Sequence, residues 1–151
     1  MLNYRIATLD DLEVLARMNR FLVEDEKHRN RFKPDSWLED RMRRFLEGDY
    51  EAVLFERNAE VVAYALYGKH FDHDDTIHLR QIFVARSCRR QGIGRQVMKI
   101  LTERIWPRNK RITVGVLAGN DVARPFYEAV GFKPYSMELE MLPSERSAPP
   151  G

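Results

Sequence analysis

The chain has a single cysteine, Cys88, which excludes an internal disulfide framework and a multi-thiolate zinc site. It lacks a long apolar stretch, and the longest run, Val61 to Tyr67, is far too short to span a bilayer. Neither sign of charge dominates. Lys and Arg number 25 against 23 Asp and Glu, for a formal net charge of +2. That balance gives no support to a dedicated nucleic-acid or membrane-surface binder, so neither is expected as a partner. The opening residues, Met1-Leu2-Asn3-Tyr4-Arg5, lack the basic-then-apolar order of a signal peptide, and a cytoplasmic protein without a membrane anchor is expected. There is no internal repeat and no low-complexity tract. What is present is 151 residues, 44% hydrophobic and 32% charged, which suits one soluble globular domain. The expected division is a single domain over residues 1–142 and a flexible tail over 143–151, ending Ala148-Pro149-Pro150-Gly151.

Periodicity supplies the element order. A short strand is expected around Tyr4 to Ala7, and Thr8 offers an N-cap. Leu12, Leu15, Ala16, Asn19, Leu22 and Val23 then recur at helical spacing to about Glu26. A second helix is expected from about Pro34 to Leu46, with Gly48 as its stop. Tyr50 to Glu56, Val61 to Gly68 and Thr76 to Ala85 read as three strands of an antiparallel meander, the middle one internal. From Gly92 the period changes to 3.6, and Pro107 ends that helix. Arg111 to Leu117 reads as a strand and Asn120 to Val130 as a helix, with Gly131 as its C′ residue. Phe132 begins a strand, and the alternation of Met137, Leu139 and Met141 predicts a last one. The order β-α-α-β-β-β-α-β-α-β-β is an α/β (α+β) mixed sheet flanked by helices.

The most informative segment is Gln81 to Val97, QIFVARSCRRQGIGRQV. A strand ends near Ala85, a polar loop carries Arg86, Arg89 and Arg90, and Gly92 and Gly94 open a helix. Glycines let a backbone approach a ligand closely, and the first N–H groups of a helix have no internal partner. Those donors and the helix dipole attract an anion, and a pyrophosphate fits such a pocket. An ordinary helix N-terminus in a basic loop is the other reading of the same residues. Two phosphate loops are excluded: no Gly-Lys-Ser/Thr follows Gly94, and G-x-G-x-x-G would need glycine where Val97 stands.

Arg89-Arg90-Gln91-Gly92-Ile93-Gly94 resembles the Q/R-x-x-G-x-G/A hallmark of the GNAT superfamily of acetyl-CoA-dependent N-acetyltransferases. Ile82-Phe83-Val84 looks like the family strand whose backbone pairs with the pantetheine arm, and Asn120-x-x-Ala123-x-x-Phe126-Tyr127-x-x-x-Gly131-Phe132 is similar to its other acyl-CoA-side segment. The resemblance runs in element order from about Tyr4 to Met141 and implies a GNAT-like acyl-CoA N-acyltransferase fold. It implies acetyl-CoA as cofactor, with the pyrophosphate on the amides of Gln91, Gly92, Ile93, Gly94, Arg95 and Gln96 beside Arg89 and Arg90. It also implies that Ile82, Phe83 and Val84 line the pantetheine, as an added strand would be lined, with Asn120 and Phe126 on the same arm. Tyr127 occupies the position of the family's usual general acid; a core aromatic on the helix stripe is its bland reading. A homodimer is common among relatives and is an expectation here.

Amine acetylation needs a neutral amine, a polarised carbonyl and a protonated leaving thiolate. An alkyl amine of pKa about 10.4 is mostly protonated at pH 7, a deficit of roughly 4.6 kcal/mol for the neutral form. A base must therefore remove a proton, and a phenol can protonate the thiolate. Many relatives carry a carboxylate on the strand before the cofactor loop, but Thr76-Ile77-His78-Leu79-Arg80-Gln81 has none. Alternation puts His78 and Arg80 on one face of that strand and Leu79 and Gln81 on the other. His78 is a candidate base or a structural histidine. At 100° per residue, Asn19 and Glu26 fall within the apolar stripe of the first helix, where a polar group needs a partner or a cavity. Glu26 is thus a second candidate base or amine ligand, or an exposed carboxylate at a helix end. Asn19, Glu26 and Arg80 are the expected acceptor contacts. The His70-to-Asp75 loop has no reliable ligand spacing, and no metal is expected. The acceptor is expected to be a primary amine on a small molecule, peptide or protein side chain. A non-catalytic acyl-CoA-binding module is the alternative.

Overall fold

The strands are arranged by where their apolar side chains can be covered. The computed structural model describes residues 2–147, with β1 (Asn3–Ile6), α1 (Leu12–Asp25), α2 (Asp35–Glu47), β2 (Tyr50–Arg57), β3 (Glu60–Lys69), β4 (Thr76–Val84), α3 (Ile93–Ile100), β5 (Arg111–Val114) and α4 (Ala123–Ala129). The sheet order is β1-β2-β3-β4-β5. The first four strands pair antiparallel, and β4 and β5 pair parallel. β3 is central and buried from Val62 to Gly68, which accounts for its unbroken apolar run. Its hairpin with β2 turns through Asn58 and Ala59 at φ 53° and 67°, the left-handed pair that matches strand twist.

The two faces of the sheet carry separate cores. Leu15, Leu22, Met42, Leu54, Tyr64, Leu66 and Phe83 pack on the α1 and α2 side. Val53, Phe55, Ala65, Val97, Leu101, Trp106 and Tyr127 pack on the α3 and α4 side. Thr8 and Asp11 close a reciprocal cap, with the Asp11 carboxylate accepting from the Thr8 amide at 2.8 Å, so the chain enters α1 through one tight turn. The expected long helix to Pro107 is α3 followed by a wider turn over Leu101–Ile105, where the Trp106 amide reaches the Leu101 carbonyl at 2.8 Å. Among the described residues, no helix is long and apolar enough to cross a membrane.

Three expectations require correction. The face assignment of β4 changes because the strand carries a bulge: Leu66 pairs with Gln81 but Tyr67 pairs with Leu79, so Arg80 is an extra residue. Gln81 therefore leaves the face of Leu79 and meets Asn19 and Tyr64 beneath α1. The two strands expected after α4 are not formed. Alternation orients side chains, but a strand also needs a ladder partner, and among the described residues no strand pairs with this segment. Tyr135, Met137, Leu139 and Met141 stay 71–84% exposed, with Arg29 paired to Glu140 at 2.6 Å and Arg111 over the Tyr135 ring. β5 also stops at Val114, three residues earlier than expected, and α4 starts at Ala123. In the expected tail, Pro143–Glu145 form a short turn and residues 148–151 lie outside the described residues.

Candidate active site

Two strand lengths open the site. The parallel pairing ends at Leu79 with Val114, while β4 continues to Val84. Beyond Leu79, the β4 edge away from β3 faces no strand among the described residues. Ile82, Phe83 and Val84 lie along that open edge, which can pair with an extended arm as a strand would. The bulge at Arg80 sits where the two strands part.

The loop that follows presents its backbone. Arg90 has φ 65° and Gly92 φ 75°, and the Gly92 turn starts α3. A β-branched residue at Gly92 would be strained by that φ alone. The first bond of the helix runs from the Gln96 amide to the Gly92 carbonyl at 3.1 Å. The amides of Gln91, Gly92, Ile93, Gly94 and Arg95 make no bond with another described residue. Gly94 serves close packing: a Cβ there would lie 3.0 Å from Cε1 of Phe126, so α3 and α4 meet over it. Clustered free donors at a helix N-terminus and a close backbone approach fit a diphosphate.

The loop arginines divide into two groups. Arg86 and Arg89 both bind Asp25 at the end of α1, at 2.7 and 2.6 Å, and Arg89 also donates to the Val84 carbonyl at 3.1 Å. Burial would raise the Asp25 carboxyl, but these two bonds hold it below the usual carboxylate range. The pair fixes the loop to α1. Arg57 adds a bond to the Gln91 side chain at 2.6 Å. Arg90 and Arg95 are exposed and have no carboxylate partner among the described residues. The predicted cofactor set thus separates into Arg89 as a brace and Arg90 and Arg95 as free cations. The Asn120 side-chain oxygen accepts from the amide of Ala123, the first residue of α4, at 3.1 Å. Cys88 is buried, with an Arg57 guanidinium 3.6 Å from its sulfur.

Tyr127 is fixed by the end of α4. Gly131, at φ 112°, lets the Phe132 amide bond the Tyr127 carbonyl at 2.9 Å and the Gly131 amide bond that of Glu128 at 3.2 Å. Phe126 and Phe132 each meet the Tyr127 ring edge to face, at 5.2 and 5.5 Å between centroids. The side chain is 8% exposed, and its hydroxyl makes no hydrogen bond with another described residue yet keeps access to solvent. Burial, and then the charge of Glu26, push the phenol above its usual pKa. The half-buried Glu26 carboxyl is itself raised, first by burial and then by Asp25.

Glu26 also acts on Tyr64. The Tyr64 phenol is raised by burial and by Glu26, against the opposing pull of its bond from Asn19 and of Arg41. Tyr64 donates to Gln81 Oε1 at 2.8 Å, and the Asn19 amide donates to both, at 3.3 Å to Tyr64 and 3.2 Å to Gln81. A polar triad therefore forms the floor between α1 and β4. Asn19 is thus part of the triad, and the Glu26 charge raises both the Tyr64 and the Tyr127 phenol. His78 sits apart: its Nδ1 lies 2.9 Å from the Thr113 hydroxyl, its ring meets His70, and burial with Arg80 and His70 lowers its pKa.

Sequence reasoning missed Tyr64, Gln81 and Arg41. Tyr64 is hidden inside an apolar run, and Gln81 is misassigned without knowledge of the bulge. Arg41 had a legible signal, since Trp37, Arg41 and Phe45 stand four residues apart on one helical face.

The model of the acetyltransferase (GNAT) family matches residues 17–132. No curated protein sequence matches the chain. The fold is similar to that of a possible acetyltransferase from Clostridium difficile, with TM-score 0.75 and 18% identity over 94% of this chain and 98% of that one. It is similar to a predicted acetyltransferase from Clostridium acetobutylicum solved with acetyl-CoA, with TM-score 0.74 and 20% identity over 97% and 99%. It also matches the aminoglycoside N-acetyltransferase AAC(6')-Iy in complex with CoA, with TM-score 0.74 and 15% identity over 94% of each chain.

Proposed function

The chain belongs to the acetyltransferase (GNAT) family and is an acetyl-CoA-dependent acetyltransferase, and we propose that it acetylates a primary amine by direct attack in a ternary complex. Acetyl-CoA supplies the thioester acyl group. In this reading the amides of Gln91 to Arg95, with Arg90 and Arg95 beside them, bind the diphosphate. The unpaired edge of β4 at Ile82, Phe83 and Val84 takes the pantetheine. Glu26 removes the amine proton, and the Tyr127 hydroxyl gives a proton to the departing sulfur.

The observation that carries the reading is the row of unbonded amides from Gln91 to Arg95, in the loop that follows the open edge of β4. Burial raises the Glu26 carboxyl, and burial with the Glu26 charge raises the Tyr127 phenol. A raised carboxyl is a stronger base than an ordinary one, and a raised phenol stays protonated throughout the neutral range. His78 is not given the base role, because its closest partners are Thr113 and His70.

The test is steady-state release of free CoA from acetyl-CoA in the presence of a panel of primary amines. The reading expects at least one amine to give CoA and N-acetyl product in equal amounts. Binding of acetyl-CoA without CoA release for any amine would leave only an acyl-CoA-binding module.

A further inference from the structure

We propose that the acceptor carries an oxyanion, a carboxylate or phosphate, beyond its reacting amine, and that Arg41 and Arg80 bind it. The proposal rests on the acetyl-transfer reading and names the substrate class for the same cleft.

The first observation is an unusual pair of cations. Arg41 and Arg80 share one aromatic shelf: each guanidinium carbon lies 4.9 Å from the centroid of the Phe45 ring. Arg80 also reaches the Tyr50 hydroxyl at 3.5 Å. Arg41 is half-buried, and burial followed by the repulsion of Arg80 lowers its pKa. By contrast, Arg86 and Arg89, which also converge, do so on a carboxylate, that of Asp25. Among the described residues no carboxylate pairs with Arg41 or Arg80. Two guanidiniums drawn together without a counter-charge are stabilised by an anion that accepts from both.

The second observation is the position of this pair relative to the reacting groups. The bulge that carries Arg80 comes directly after the last β4–β5 pair, Leu79 with Val114, so Arg80 stands where the open edge of β4 begins. Arg80 is the bulged residue next to Gln81, which bonds Tyr64. A bulge aims a side chain out of the ladder, here toward α2 and its Phe45. An amine that also carries an oxyanion can set the oxyanion on these two arginines while its nitrogen reaches the open edge. A polyamine would bring a second cation to the arginines and be repelled.

The test compares matched acceptors in the CoA-release assay: L-amino acids against their C-terminal amides, O-phosphoethanolamine against ethanolamine, and spermidine. Rates are compared per neutral amine, so that differences in amine pKa do not enter. The proposal expects kcat/KM for the anionic member of a pair to exceed that of its neutral partner by about 10- to 100-fold. Preference for the carboxylate pair or the phosphate pair identifies which oxyanion is used. Arg80→Gln and Arg41→Gln should each bring the anionic-to-neutral ratio close to one, and Arg80→Lys should restore part of it. An acetyl-CoA-dependent thermal shift checks that each variant folds. Equal or better use of neutral amines or spermidine by the wild-type protein overturns the oxyanion site while acetyl transfer stands. A ratio unchanged in both glutamine variants also overturns it. Release of no CoA with any amine, while acetyl-CoA binds, sinks the transfer reading and this proposal together.

Discussion

Tyr127→Phe is expected to lower kcat for acetyl transfer by about 100-fold, the scale of a lost general acid, with acetyl-CoA affinity unchanged within about twofold. The substitution removes only an oxygen. Phe126 and Phe132 hold the ring edge to face, and the backbone of residue 127 is fixed by the turn at Gly131. The hydroxyl bonds no other described residue, so its loss leaves no buried partner unsatisfied. A purely packing role would therefore leave turnover and stability alike unchanged. A general-acid role predicts a fall in kcat that is smaller for acyl thioesters with more acidic leaving thiols, which need less protonation. Turnover numbers for acetyl-CoA and an aryl thioester, measured on both proteins, read this directly. Equal turnover of the two proteins with acetyl-CoA would return Tyr127 to the core.

Glu26→Gln is expected to lower kcat/KM by about 100-fold at neutral pH and to remove the acidic limb of the pH–rate profile. Burial, and then Asp25, raise the Glu26 carboxyl, so the base forms at a higher pH than for an ordinary glutamate. The rate of the wild-type protein should climb as pH rises through that raised pKa. The sign for stability is the opposite. A carboxyl raised in the folded state binds more protons there than in the unfolded chain, so its contribution to stability is lost as pH rises through the folded pKa. Glutamine is neutral throughout, so the variant should melt no lower than the wild type at pH 8 while transferring far less acetyl. That opposition separates a catalytic carboxylate from a structural one. A variant that melts early, or that keeps the acidic limb, would show that Glu26 is not the base.

The sequence exposes some of this site and hides the rest for identifiable reasons. Gly92 and Gly94 are legible because each position has a steric requirement, a positive φ at one and contact with Phe126 at the other. Asn19 and Glu26 are legible because a helix has a fixed angular period, and a polar residue on the buried stripe stands out against it. β4 is different. One extra residue at Arg80 exchanges the faces of everything beyond it, and local alternation carries no mark of a bulge. The segment from Phe132 to Met141 shows the complementary failure. Its alternation is real, but a strand depends on a neighbour elsewhere, and β5 ends after four residues. The Arg41–Arg80 pair is assembled where Arg80 of β4 reaches the Phe45 ring of α2, so only the three-dimensional arrangement shows it.

The central claim is that main-chain donors between Gln91 and Arg95 grip the diphosphate of acetyl-CoA. The direct measurement is calorimetric titration of the wild-type protein and Gly94→Val with acetyl-CoA and with S-acetylpantetheine, which lacks the diphosphate. A Cβ at residue 94 meets the Phe126 ring at 3.0 Å, so valine there crowds the contact between the helix start and α4. The account predicts that the wild-type protein binds acetyl-CoA at least about 30-fold more tightly than S-acetylpantetheine, a margin of the size that charge-assisted hydrogen bonds supply, and that Gly94→Val loses most of that margin. Equal affinity of the wild-type protein for the two thioesters would contradict it.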